Sequence, residues 1–268
     1  MTTYTGIDDL LVSLDGSVLS VTFNRPDSLN SLTTAMLVTL GEVLAQAAGD
    51  PAVRVVRLGG AGRGFCAGAG ISAEDQAVAA QHLQSGVDPL LAAANDAVRA
   101  IVGLPKPVVA VVQGPAAGVG VSLALACDIV LASETAFFML AFTKIGLMPD
   151  GGASALVAAA VGRVRAMKMA LLADRIPAAE ALSFGLVSSV HPAGELPSAA
   201  ESVIERLASG PAVALRKTKH AVNAATLNHL DDAIARETDG QLELLTSRDF
   251  AEGTRAFQER RAATFTDD

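Results

Sequence analysis

Tryptophan is absent from this chain of 268 residues, tyrosine occurs once, and aromatic residues make up only 4%. A surface that stacks nucleobases needs aromatic faces, so the composition argues against a nucleic-acid platform. Charge is scarce as well: 18% of residues carry it, and the balance is −8. A phosphate backbone calls for a basic face, which this balance does not offer. A small polyanion held by a few local arginines stays compatible. The two cysteines, Cys66 and Cys127, form no CxxC pair, which implies neither a disulfide framework nor a zinc site. The histidines, His82, His191, His220 and His229, lack the spacing of metal ligands. No basic-then-apolar segment opens the chain, where Asp8 and Asp9 stand instead. No signal peptide is therefore expected, and a reduced, cytoplasmic setting is.

Apolar residues are plentiful, at 51%. They suffice for a large core in one large domain, or in a domain with a smaller appendage. The stretch 107–127 carries no charge and is long enough to cross a bilayer. Gly114, Pro115, Gly118 and Gly120 interrupt it, with valines before the break and leucine and alanine after. That pattern reads as a buried strand, a turn and a buried helix rather than a membrane span.

Strands are expected at 10–14 and 18–23, joined by the Asp15-Gly16 turn signal. A helix capped by Thr33 or Thr34 should run to about Ala48, followed by a strand at 53–58. Residues 73–102 are helical in character, with a break near 86–89, and another strand is expected at 107–112. A short helix from Val121 to Ala126 precedes strands at 129–131 and 136–138. Helices over Gly151–Val161 and Arg163–Leu172 come next, then a last strand over 187–190, and the chain beyond Pro197 is helical. The order is one of repeated ββα units followed by a helical tail. Phe250, Phe257 and Phe265 in that tail are too apolar for a solvated face and suggest a subunit contact.

Two glycine-rich stretches each follow an apolar strand: Gly64-Phe65-Cys66-Ala67-Gly68-Ala69-Gly70-Ile71 and Gly114-Pro115-Ala116-Ala117-Gly118-Val119-Gly120. Neither offers a reactive side chain, so chemistry there must use the backbone. Glycine allows close approach and φ/ψ values that turn N–H groups outward. Two such groups aimed at one oxygen would form an oxyanion hole. Gly68 to Ala73 also satisfies G-x-G-x-x-A, but too far past the strand's end for a dinucleotide turn. A phosphate-binding GK[ST] is missing, and neither Ser122 nor Ser154 sits in a GxSxG turn. Asp150 lies between apolar runs, where loss of hydration would raise its pKa towards that of a general base. Pro-Asp-Gly-Gly is equally turn chemistry, and an aspartate there can cap the following helix. The local residues leave both readings open.

"NRPDSLNSLT" (24–33), "GFCAGAGIS" (64–72), "LPKPVVAVVQGPAAGVGVSLALACDIVLAS" (104–133) and "FTKIGLMPDGGAS" (142–154) occur in this order. By them the chain resembles the crotonase superfamily, the enoyl-CoA hydratases and isomerases, over nearly its whole length. The resemblance implies an α/β crotonase (ClpP-like) fold: a ββα-repeat acyl-CoA-binding core over 1–200 and a helical trimerisation region over 201–268. Such trimers commonly pair into hexamers. It implies an acyl-CoA thioester as substrate and no cofactor, coenzyme A entering only as part of the substrate, with no metal, nucleic acid or membrane partner. The thioester oxygen would accept N–H bonds from Ala69 and Val119. Arg25, Ser28 and Leu29, with Ala67, Gly68, Gly70, Ile71 and Ser72, would contact the coenzyme A portion, and Gly118 and Phe142 the substrate.

The departures from that pattern narrow the chemistry. Where hydratases carry two glutamates, this chain has Ser122 and Phe142, and Gly70 replaces the usual aspartate of the first glycine stretch. Asp150 falls where some family isomerases carry a single acid. The resemblance therefore favours moving the double bond of a 3-enoyl-CoA to the 2-position. Two alternatives are a hydratase or thioester hydrolase with atypical residues, and an acyl-CoA-binding protein without catalysis.

Overall fold

The computed structural model describes residues 3–70 and 87–266. A hairpin opens the chain, β1 (Leu10–Asp15) and β2 (Val18–Phe23), paired antiparallel through Asp15↔Val18 with Gly16 at φ 55°. Helix α1 (Thr34–Gly49) follows, capped by Thr33, whose hydroxyl accepts from Met36 N at 3.3 Å. Strand β3 spans Val55–Gly60, two residues later than expected at either end, and pairs parallel to β2. Helix α2 (Pro89–Gly103) is capped by the Asp88 carboxylate and leads to β4 (Val108–Val112). The expected break near 86–89 is thus a helix start at Pro89. The rest of 73–86 lies outside the described residues.

The second glycine stretch forms a two-residue strand, β5 (Ala116–Ala117), and runs directly into α3 (Val119–Ala126). Strands β6 (Ile129–Ser133) and β7 (Phe137–Met139) lead to a 3₁₀ turn at Ala141–Ile145, then α4 (Ala153–Val161) and α5 (Arg163–Leu172). Strand β8 (Ile176–Pro177), α6 (Ala178–Phe184) and β9 (Ser189–His191) complete the β structure. Four helices close the chain: α7 (Leu196–Ala208), α8 (Ala212–Thr226), α9 (Leu230–Leu244) and α10 (Arg248–Gln258).

The main sheet has the order β1-β2-β3-β4-β6-β9, parallel from β2 onwards, and a small sheet β5-β7-β8 stands beside it. Successive side chains of a strand point to opposite faces, so a strand covered on both sides must be apolar throughout. Strand β4, all valine and alanine, meets that condition. Val108, Ala110 and Val112 enter the main core with α1 and α2. Val109 and Val111 join Val55 and Leu131 under Leu196, Ala200 and Ile204 of α7. Each fully buried valine or leucine contributes about 1.5–3 kcal/mol relative to exposure. Together they make the sheet a rigid platform for the loops at its edge. Among the described residues, no helix is long and apolar enough to cross a membrane. The architecture is mixed α/β, as the resemblance implies.

Candidate active site

Main-chain bonds zip the two glycine stretches together at the end of the sheet. Phe65 N and Cys66 N donate to Pro115 O at 3.0 and 3.1 Å, and Ala117 N donates to Cys66 O at 2.9 Å. Phe65 is anchored below by an edge-to-face contact with Phe23, ring centroids 5.8 Å apart. On its other side the first stretch pairs with residues 29–32: Ala67 N donates to Leu29 O, Leu32 N to Gly68 O and Gly70 N to Leu32 O. Because Leu32 bonds residues 68 and 70, the N–H of Ala69 points to the opposite side. Among the described residues nothing accepts from it.

Gly68 and Gly118 meet where the stretches cross. A methyl group built on Gly68, at φ 90°, would lie 2.9 Å from Ala117 O and 3.5 Å from Gly118 Cα. Gly118, at φ 53° and ψ −133°, caps α3 in a conformation that other residues rarely adopt. Val119 is thus the first residue of α3, two positions earlier than the sequence suggests, and its N–H has no acceptor one turn back. The amides of Ala69 and Val119 each follow one of the two touching glycines, and that of Val119 opens α3 at the positive end of its dipole. Such amides can stabilise negative charge developing on an oxygen.

Asp150 stands over this helix end. The turn that carries it packs on α3: a methyl on Gly151 would lie 2.9 Å from Val119 Cγ2 and 3.2 Å from Ser122 Cβ. Buried Ser122 donates its hydroxyl to Asp150 O at 2.9 Å. The Asp150 side chain is half-buried, and its carboxyl accepts from Gln241 Nε2 of α9 at 2.7 Å. Loss of hydration pushes its pKa up to about 7, against the pull of the Gln241 hydrogen bond and with help from the charges of Glu237 and Asp88. That value suits a proton carrier at neutral pH.

The capping role open to Asp150 on local sequence belongs to another residue. Helix α4 starts at Ala153, because Gly151 and Gly152 both have positive φ, and it has no local side-chain cap. Glu237 from α9 supplies one instead, accepting from Gly152 N at 2.6 Å and Ser154 N at 2.8 Å. Neither Glu237 nor Gln241 stands out in a motif. Their signal is positional: Leu230, Ala233, Ile234, Glu237 and Gln241 form the buried stripe of α9, so two polar residues occupy an apolar face.

The structure brings Gly68, Gly118, Val119, Phe142 and Asp150 into one neighbourhood. Phe142 is 7% exposed, with its ring edge 3.9 Å from a methyl built on Gly118. Ala67, Ala69 and Gly70 lie along the strip facing residues 29–32. Arg25 is partly engaged already, donating through Nη1 to Ser31 O and Oγ, with Asp9 3.6 Å from its Nε. Ser28 is exposed and Leu29 sits at φ 55°. Ile71 and Ser72 lie outside the described residues. Asn30, missed in the sequence, staples this loop: it accepts from Arg25 N and donates to Ala61 O and Gly64 O while fully buried. Cys66 is also buried, its thiol pushed up to about 12 by loss of hydration, which leaves it inert as a nucleophile.

The profile of the enoyl-CoA hydratase/isomerase family matches residues 13–268. The chain belongs to this family. A 1,2-epoxyphenylacetyl-CoA isomerase of Escherichia coli (strain K12) is 38% identical to it over 259 residues, which cover 96% of this chain and 98% of that one. A probable enoyl-CoA hydratase of Rhodobacter capsulatus is 40% identical over 250 residues, covering 92% and 93% of the two chains. Among solved structures, an enoyl-CoA hydratase from Mycobacterium avium subsp. paratuberculosis K-10 superposes with a TM-score of 0.91 at 61% identity, covering 98% of this chain and all of that one. As a member of the enoyl-CoA hydratase/isomerase family, the protein is an enzyme of the crotonase superfamily. Its relatives carry both isomerase and hydratase names.

Proposed function

We propose that this enzyme shifts the double bond of a 3-enoyl-CoA to give the 2-enoyl-CoA, with Asp150 as its single acid–base group. The observation that carries this reading is the Asp150 carboxyl itself: half-buried, raised to about 7 and beside the first turn of α3. Asp150 would take a proton from the carbon next to the thioester. The electron pair moves onto the thioester oxygen, where the N–H groups of Ala69 and Val119 stabilise the resulting dienolate. The protonated carboxyl then delivers its proton two carbons further along, and the negative charge returns from oxygen to complete the 2,3-double bond. One group suffices for both transfers.

Ser122 and Phe142 support the choice over hydration. Adding water calls for a carboxylate that holds and deprotonates it, and the Ser122 hydroxyl is committed to Asp150 O. Phe142 presents a ring edge rather than a charge near Gly118. The E. coli relative is likewise named an isomerase of a CoA thioester. Contacts from Arg25, Ser28, Leu29 and the Ala67–Ser72 strip belong to the same reading, as does a homotrimer or dimer of trimers.

The test follows 3-enoyl-CoA in deuterated water. The parent protein is expected to exchange the α-proton and form the 2-enoyl product, and Asp150→Ala to do neither. Formation of 3-hydroxyacyl-CoA by the Asp150→Ala variant would establish a hydratase instead. Tight thioester binding without turnover in either form would mark a binding protein.

A further inference from the structure

Helix α9 reaches the proposed acid through two side chains one turn apart. Gln241 is 2% exposed and both ends of its amide are committed: Oε1 accepts from Met148 N at 3.2 Å, and Nε2 donates to Asp150 Oδ2 at 2.7 Å. The Met148 amide is a donor only, which fixes the Gln241 amide the right way round for the carboxylate. Asp150 Oδ2 is therefore tethered, and Oδ1 is the oxygen left to meet substrate. Glu237 is 1% exposed, and each of its oxygens accepts one N–H, from Gly152 and from Ser154. Burial pushes the Glu237 pKa up, and the two N–H donors, with the Arg236 charge, pull it back towards the ionised form. Glu237 thus fixes the turn after Asp150 and also sets a negative charge near it.

We infer that Glu237 and Gln241 are a positioning pair for Asp150, Gln241 orienting its carboxyl and Glu237 holding its turn. The inference rests on Asp150 being the acid–base group. The pair acts in opposite senses on the proton of Asp150. A donor on Oδ2 favours the carboxylate, and a nearby anion favours the acid. The other charged groups of this neighbourhood are Asp88 at the cap of α2, whose charge also acts on Asp150, and Arg236, whose charge acts on Glu237. A one-base isomerase must remove and return a proton at neutral pH, so a balance of these two influences fits the task.

The pH profile of kcat/KM for 3-enoyl-CoA isomerisation tests the pair, alongside a carbon-13 NMR titration of the Asp150 carboxyl that needs no turnover. In Gln241→Leu the acid limb and the NMR titration are expected to move to higher pH by about one unit. With the carboxyl free to turn, kcat should fall at least about tenfold while KM stays within about threefold, a loss confined to the chemical step. In Glu237→Gln both titrations should move to lower pH; should that variant not fold, Gln241→Leu decides alone. Melting that drops in Gln241→Leu with titrations unmoved overturns the inference and leaves both residues as ordinary packing. An Asp150→Asn variant that still isomerises overturns the base assignment instead, and the NMR titrations separate the two failures.

Discussion

The Asp150 carboxyl gives up hydration to sit over α3, and its raised pKa ties activity to stability in opposite directions. Its folded value, about 7, lies above the ordinary 3.8. Such a group stabilises the fold fully below the unfolded value and loses that contribution as pH rises through the folded one. Asp150→Asn should therefore be inactive yet more stable at pH 8, by an amount on the order of 2 kcal/mol after allowance for its partial exposure to solvent. Thermal melts should show the gain shrinking towards pH 5; a variant less stable at pH 8 would contradict the buried acid. In the parent enzyme, kcat/KM should fall about tenfold per unit below pH 7. Asp150 stands out in the sequence as a carboxylate inside an apolar run, where local residues leave a helix cap open as well; the structure gives that cap to Glu237. Glu237 and Gln241 do not stand out, since their meaning depends on a helix more than eighty positions away folding onto that turn.

Helices and strands were largely readable where a terminus has local chemistry. Thr33 caps α1 as expected, and Thr33→Ala should cost about 1 kcal/mol in denaturant unfolding. Element boundaries depart from the local signal where glycine serves packing rather than flexibility. Helix α3 begins at Val119 although Gly120 weakens its first turn, because a methyl there would lie 2.6 Å from Cys66 O. Helix α4 begins later than expected because the positive φ of Gly151 and Gly152 breaks the run. The last strand is Ser189–His191 rather than 187–190, set by its pairing with Leu131–Ser133. Gly118→Ala should destabilise by about 1–3 kcal/mol through backbone strain. It should also cut kcat well beyond any change in thioester affinity, since Val119's amide would turn; kinetics beside calorimetric binding would detect this. Asn30→Ala should lose roughly 1–3 kcal/mol, from buried partners left unsatisfied at Ala61 and Gly64.

At the scale of the whole molecule, large apolar side chains remain exposed on several helices. Val164 is 80% exposed, Leu171 63% and Phe257 62%, and α8 buries none of its residues within the chain. Val164 and Leu171 stand two turns apart on one face of α5, and apolar surface grouped in this way marks protein contacts. Sedimentation should show the trimer or hexamer that the family resemblance implies, and Val164→Glu with Leu171→Glu should shift that species towards monomer. Of the tail phenylalanines singled out in the sequence, Phe257 and Phe265 are exposed, while Phe250 is partly buried beside the 3₁₀ turn at Ala141–Ile145. The layered sheet was legible from its valine-rich runs. The return of α9 and α10 onto residues 145–154 was not, because amphipathic periodicity says which face is buried without saying against what.

The grip of α9 on the Asp150 turn also sets a timetable. The ribosome makes the chain from its amino end, so the sheet and both glycine stretches are available long before Gln241 emerges. Until then the Asp150 turn lacks the hydrogen bonds it receives from Glu237 and Gln241. Those bonds form only late in synthesis, with the docking of a helix that carries no glycine motif of its own.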